Sequence, residues 1–406
     1  MGTYITRYLD LDDWMTPNDE DLWDDDSYGR YEAFVPDRLS GAQRLSDEAM
    51  TIAARAEAEL AVLDDRVSPE VGMGPIEWLL LRTESISSTH IEGIECSVED
   101  LMLYEETGVT RNSRTAAAGV ARASLLLWKE LKEISEGSPI TVDSLSSIND
   151  AFLIGTPSAG MGGSLRETQN WVGPAGSTPA DAAFVPPPPD EVGPLMDDLV
   201  GFCNDARLPS VAVAAMAHAQ FETIHPYVDG NGRTGRALVQ MVLRSRGVMK
   251  NTVLPVSTVL SADRERYIHA MSGFQEEGPV DPSVFVTYLS DACIRAARAS
   301  IVFQKRLAAI SETWRQNVRP RSGSVADALI RILPYRPVIT VGDLCRESGV
   351  SERNAREGIR KLVESGILAP QRAGRQTAYI ARSVIDAMKV YDQRVRRSAP
   401  VRGRKS

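Results

Sequence analysis

Residues 225–236 read HPYVDGNGRTGR, between two stretches rich in Ala, Val and Leu: SVAVAAMAHAQFETI (210–224) and RTGRALVQMVLRSR (233–246). A connection between two core helices needs only a turn, yet this one holds a histidine, an aspartate, an asparagine, three glycines and two arginines. Each brings its own chemistry. His225 is a base active near neutral pH, suited to taking a proton from a hydroxyl. Gly230 and Gly232, flanking Asn231, let consecutive backbone N–H groups turn inward as an anion nest, and a helix opening here adds its positive end. Arg233 and Arg236 share that helix's first turn and add charge-assisted donors. So many donors call for a polyanion, most simply a nucleotide's phosphates. Asp229 would repel it unless a divalent cation stands between them; Mg²⁺ binds through one or two carboxylates plus substrate phosphates.

Residues 230–235 also spell GxGxxG, which signals dinucleotide binding only after a strand and inside a βαβ unit. The preceding segment has helical spacing, so that reading is rejected. No GxxxxGK[ST] phosphate loop occurs anywhere. A transition-metal site built on His218, His225 and Asp229 lacks an HxxxH or HExxH pair.

The elements that must hold the loop are mostly helical. From about residue 45 the spacing predicts helices through LSDEAMTIAARAEAELAVLDDR, GPIEWLLLRTESISSTHIEG and TAAAGVARASLLLWKELKEI, and again over 141–153 and 191–206. TQNWVG and AAFV flank a Gly/Pro/Ser turn and predict a β-hairpin, its second arm short because Pro186–Pro189 cannot donate ladder bonds. After WRQNVRPRSGS (314–324), a linker-like stretch, three short helices and two strands around Arg-Ala-Gly-Arg follow the winged helix-turn-helix plan.

The bulk properties fit this layout. The 406 residues are 43% hydrophobic, enough for two or three packed units, and no apolar run could span a bilayer. The N-terminus has no basic start followed by an apolar block, and the four cysteines are dispersed without a CxxC, so a reduced cytoplasmic protein is expected. The net charge of −10 conceals an asymmetry: an acidic start, read as a solvated tail, and an arginine-rich end in RVRRSAPVRGRKS.

HPYVDGNGRTGR resembles the Fic-family signature, His-Pro-Phe-x-Asp/Glu-Gly-Asn-Gly-Arg-x-x-Arg, differing at Tyr227. AHAQFETIHPY, AAFVPPPP and YEAFVP are similar to the family too, and the resemblance covers roughly residues 31–300. It implies a mainly α fold, a Fic-type helical bundle with a short β-hairpin flap, and transfer of AMP from ATP to a hydroxyl side chain of a target protein. His225 would be the base and Asp229 the Mg²⁺ ligand. Gly230, Asn231, Gly232 and Arg233 would cradle phosphates, and Arg236 would reach the terminal one. A target segment would pair with the flap as an added strand. Tyr267, in STVLSADRERYIHAM, is the expected adenine contact.

Ser88 and Glu92 share a helix face in SSTHIEG, and Gly93 suits the helix end. The pattern resembles the family's inhibitory Ser-x-x-x-Glu-Gly motif, which implies that Glu92 pairs with Arg236 where the γ-phosphate would sit. The expected domains are an acidic tail and extended segment (1–45), the catalytic domain (46–312) with inhibitory helix (about 76–93) and flap (about 166–189), a linker (313–324), the winged helix (325–383) and a basic tail (384–406). The last module is expected to meet DNA, with protein docking the alternative; Arg353, Asn354, Arg356, Arg360 and Lys361 lie on its third helix and Arg372 and Arg375 at the wing. A homodimer is also among the expected partnerships; membrane is not. Other readings stay open: a DNA-binding regulator that senses nucleotide at this site, or an enzyme that removes AMP or transfers another group.

Overall fold

The computed structural model describes residues 2–8, 30–40, 44–67, 76–109, 117–154, 156, 158–173, 177–278 and 281–397. Most of the acidic stretch and the last nine residues lie outside them. Two N-terminal strands, β1 (Gly2–Tyr8) and β2 (Arg30–Pro36), pair antiparallel. Helices α1 (Asp47–Val67), α2 (Ile76–Ile91), α3 (Val98–Thr107), α4 (Ala117–Glu133) and α5 (Val142–Leu153) follow. Then come α6 (Pro189–Asp205), α7 (Ser210–Ile224), α8 (Asn231–Ser245), α9 (Val256–Ala262), α10 (Arg264–Ser272) and the long α11 (Ser283–Val318). The chain ends in α12 (Val325–Ile332), β3 (Val338–Thr340), α13 (Val341–Ser348), α14 (Glu352–Glu364), β4 (Ala369–Ala373), β5 (Gln376–Ile380) and α15 (Arg382–Arg397).

These elements form two compact units. The first comprises residues 1–54, 138–242 and 265–289 and contains the signature loop. Its central helix is α7, in which every residue is buried. A helix apolar on all sides belongs in the middle of a bundle. α6 packs on it, entered by proline at the first helical position, where no N–H is needed. α5 is held at its start by a capping box between Thr141 and Ser144. Among the described residues the predicted hairpin shows one bridge, Val172 with Phe184; prolines follow the second arm immediately and cannot donate further ladder bonds. β2 supports it instead: the Phe34 amide donates to the Val185 carbonyl, and Tyr31, Ala33 and Val185 cluster with Trp171 and Ala182.

The second unit comprises residues 55–137, 243–264 and 290–406. α2 packs on α4 and α9, and α15 packs on α9. α2 ends as its sequence predicts: Gly93 takes φ +78°, and the Ile94 amide bonds back to the Thr89 carbonyl. β3, β5 and β4 form an antiparallel sheet in that order. Three features depart from the expected boundaries. α11 continues to Val318, through part of the expected linker. Residues 2–8, expected to be tail, form an ordered strand. The expected basic tail from 384 is helical to Arg397, because Val384, Ile385, Met388, Tyr391 and Val395 make a buried stripe.

Candidate functional site

The loop's geometry follows from how α7 ends and α8 begins. His225 caps α7 in the left-handed conformation, φ 51° and ψ 58°, and its amide still bonds to the Phe221 carbonyl. Pro226 cannot continue the helix. Gly230 then takes φ +79°, where an added Cβ would meet Asn149 Nδ2 at 3.0 Å. α8 starts at the next residue, so the amides of Asn231, Gly232 and Arg233 lie in its first turn, where a helix has no internal acceptor for them. The loop therefore presents a helix N-terminus and its partial positive charge.

Side chains brace this turn. Asn231 accepts from the Tyr227 amide (2.9 Å) and donates to the Tyr227 carbonyl (2.7 Å), so its amide group holds the loop closed. Arg233 is buried, donates to the Phe152 carbonyl at 3.1 Å and lies 3.8 Å from Asp229. Arg236 is only 2% exposed, an unusual place for a guanidinium. Asp229 keeps a half-exposed carboxylate; Ser158 donates to one oxygen at 2.7 Å and the Gly230 amide to the other at 2.6 Å.

Tyr227, the departure from the family signature, is fully buried against Phe221, and its hydroxyl meets Ser146 at 3.2 Å. Burial pushes its pKa up to about 12. The extra hydroxyl thus has a partner on α5, and the phenol stays neutral.

Three residues that the sequence reading missed complete the frame. Asn149, on α5, donates to the Asp229 carbonyl (2.9 Å) and to Thr234 (3.3 Å). Arg166 donates to the carbonyls of His225 (2.9 Å), Ile224, Thr168 and Pro187. Asn170 donates to the carbonyls of His225 and Tyr227. Their sequence signal was slight, a polar residue inside a helical stripe and two in a turn-rich stretch. A recess of about 310 Å³ opens here, lined by Arg166, Thr168, Gln169, Asn170, Trp171 and Val228.

His225, Asp229, Gly230, Asn231, Gly232, Arg233 and Arg236 thus share one loop and the opening of one helix. Tyr267 has a different setting. It is 2% exposed, its hydroxyl 2.7 Å from His218 Nε2 and its ring stacked on the imidazole. Buried in this way it is a core residue, and no open face is left for an adenine base. Ser88 is buried in α2 and Glu92 follows the end of that helix, both in the second unit. A larger recess, about 750 Å³, also belongs to the second unit; Ser87, His90 and Cys96 line it, and it holds no signature residue.

A left-handed turn at the end of an all-buried helix therefore opens into a glycine-led helix N-terminus that carries two buried arginines. Residues 139–243 match the Fic/DOC family. A Fic family protein from Desulfovibrio desulfuricans G20 shares the fold with a TM-score of 0.52 over 83% of this chain and 97% of its own, at 18% identity. The protein adenylyltransferase Fic of Drosophila grimshawi is 32% identical over 133 residues, 32% of this chain and 24% of that protein. A probable protein adenylyltransferase of Aquifex aeolicus is 35% identical over 96 residues, 23% of this chain and 28% of its own length. The chain thus spans about a quarter of the curated relatives it matches.

Proposed function

We propose that the chain transfers AMP from ATP to a hydroxyl side chain of a target protein, with His225 as base. The observation that carries this reading is the left-handed His225 turn set directly before a glycine-opened helix N-terminus. His225 takes the hydroxyl proton as the oxygen attacks the α-phosphorus. The new P–O bond forms as the bond to the leaving pyrophosphate breaks. First-turn amides and Arg236 hold the phosphates, so positioning and charge stabilisation carry most of the barrier lowering.

Among the described residues no group of three or more His, Cys, Asp or Glu could hold a metal by itself. The half-exposed Asp229 carboxylate fits the other arrangement, one carboxylate plus nucleotide phosphates, and Mg²⁺ held there would neutralise phosphate charge.

Two regulatory features belong to the same reading. Glu92, on the resemblance to the inhibitory motif, competes with the terminal phosphate for Arg236. A partly buried Glu–Arg pair of roughly 3 kcal/mol would weaken productive ATP binding about a hundredfold. The C-terminal segment from α12 to β5 is a winged helix-turn-helix that docks on DNA. In support, Ser351 caps α14, the turn after α13 holds Gly349 at φ +63°, and Arg353, Asn354, Arg356, Arg360 and Lys361 are exposed along α14. Glu352 and Glu364 partly offset Arg356 and Arg360, so phosphate contact falls mainly to Arg353, Lys361 and the wing arginines Arg372 and Arg375. A gel shift lost steeply with salt supports this; a salt-insensitive or absent shift refutes it.

The deciding experiment incubates wild type, Glu92→Gly and Glu92→Gly/His225→Ala with Mg²⁺ and ATP labelled at the α-phosphate. Label on protein in the Glu92→Gly sample alone supports transfer, inhibition and base together. ATP bound without label in any sample refutes adenylyl transfer and favours a nucleotide sensor.

A further inference from the structure

We infer that Asn170 is a positioning residue for His225, tying the catalytic turn to the first arm of the flap. The inference rests on the reading of His225 as the base. It begins from strain: among the described residues only His225 and Arg319 have positive φ without being glycine. The left-handed region is disfavoured for any residue with a Cβ, and such a conformation persists only where its surroundings over-determine it.

The surroundings here are carbonyl acceptors turned toward the flap. The His225 carbonyl accepts from Arg166 Nε at 2.9 Å and from Asn170 Nδ2 at 3.2 Å. The Tyr227 carbonyl accepts from the same Asn170 nitrogen at 3.0 Å. One side-chain amide therefore spans the turn on both sides of Pro226. Its orientation has no alternative, because turning it over would set its oxygen against two carbonyl oxygens. Asn170 Oδ1 is buried without a hydrogen-bond partner, so those two donor bonds are what hold the amide. A buried unsatisfied acceptor calls for an explanation, and bracing the turn supplies one.

The other end of the tie is the flap. Gln169 Nε2 donates to the Asn170 carbonyl and to the Pro186 carbonyl on the opposite arm. Trp171 packs in the cluster with Tyr31 and Val185, and Val172 bridges to Phe184. A target strand adding to this arm bears on the residue whose amide holds the base. Target docking and the geometry of His225 are coupled through Asn170. Arg166 serves the turn too, but it also ties Thr168 and Pro187, so its loss would disturb the flap as a whole.

The test uses the full chain with ¹⁵N-labelled histidine, comparing wild type, Asn170→Ala and Asn170→Asp. Four histidines give a short spectrum, and His225→Ala assigns the signal of interest. The aspartate variant keeps size but removes both donors, and thermal unfolding checks that each variant folds. The expected result is a broadened or shifted His225 imidazole signal in both variants. In a Glu92→Gly background, kcat should fall about 10- to 100-fold while KM for ATP stays within about twofold. Imidazole signals that superimpose on wild type in both variants overturn the inference. If wild type and Glu92→Gly transfer nothing from ATP yet the imidazole signal responds to Asn170, the reaction assignment fails and the positioning role stands.

Discussion

His218 should make this protein's stability fall as the pH drops below about 6.5. It is fully buried on α7, and its pKa is lowered to about 3, chiefly by burial and further by the Arg236 charge, against a smaller opposing contribution from the Gly235 backbone. The carboxylate of Glu222 lies 3.9 Å from its Nδ1. That separation suggests an ion pair, but the loss of hydration at a fully buried ring outweighs it, so the imidazole is neutral at neutral pH. The unfolded chain binds this proton below about pH 6.5, and the folded one does not until about pH 3. Stability from this group is therefore complete above the unfolded value and falls as pH drops through the window between the two. At about 1.4 kcal/mol per pH unit per proton, going from about pH 7.5 to about pH 5 removes about 2 kcal/mol. The comparison variant is His218→Phe/Tyr267→Phe, which removes both hydrogen-bonding partners and keeps the stacked rings. Urea unfolding of both proteins at the two pH values, with matched m values, isolates the proton. The double variant should lose about 2 kcal/mol less than wild type. An equal loss in both proteins would refute the reasoning, because His218 would then not be held neutral by burial.

Asp229→Asn keeps the size of the side chain but removes its charge; label transfer in a Glu92→Gly background should fall by roughly 100-fold with ATP binding retained, measured across a Mg²⁺ titration. Gly235→Ala places a Cβ 2.6 Å from Glu222 Oε1, 3.0 Å from Phe221 and 3.1 Å from His218, so it should destabilise by about 1–3 kcal/mol in urea unfolding. Arg336 donates to both oxygens of the largely buried Glu106; Arg336→Leu should cost about 1–3 kcal/mol, and adding Glu106→Gln should recover part of it, a cycle read by denaturation.

The sequence alone determined which residue types the loop brings together and its place between two helices. A histidine, a carboxylate, closely spaced glycines and two arginines within twelve residues are a local pattern, and local patterns are what a sequence displays. The helical character of α7 and α8 and the end of α2 at Gly93 were legible for the same reason: periodicity and capping are short-range. What the tertiary structure decided depends on partners distant in the chain. Tyr267 faces His218 across 49 positions and becomes core, while Asn149 meets Asp229 across 80. Among the described residues the flap, expected as a hairpin, keeps a single bridge and leans on β2, which falls within the expected extended segment but whose partner only the fold reveals. α15 looked like a basic tail because its arginines dominate composition, yet its apolar stripe finds a partner in α9. The strain at His225 was likewise invisible, since a histidine before proline carries no mark of left-handed backbone. Only the carbonyls turned toward Arg166 and Asn170 explain how that conformation is held.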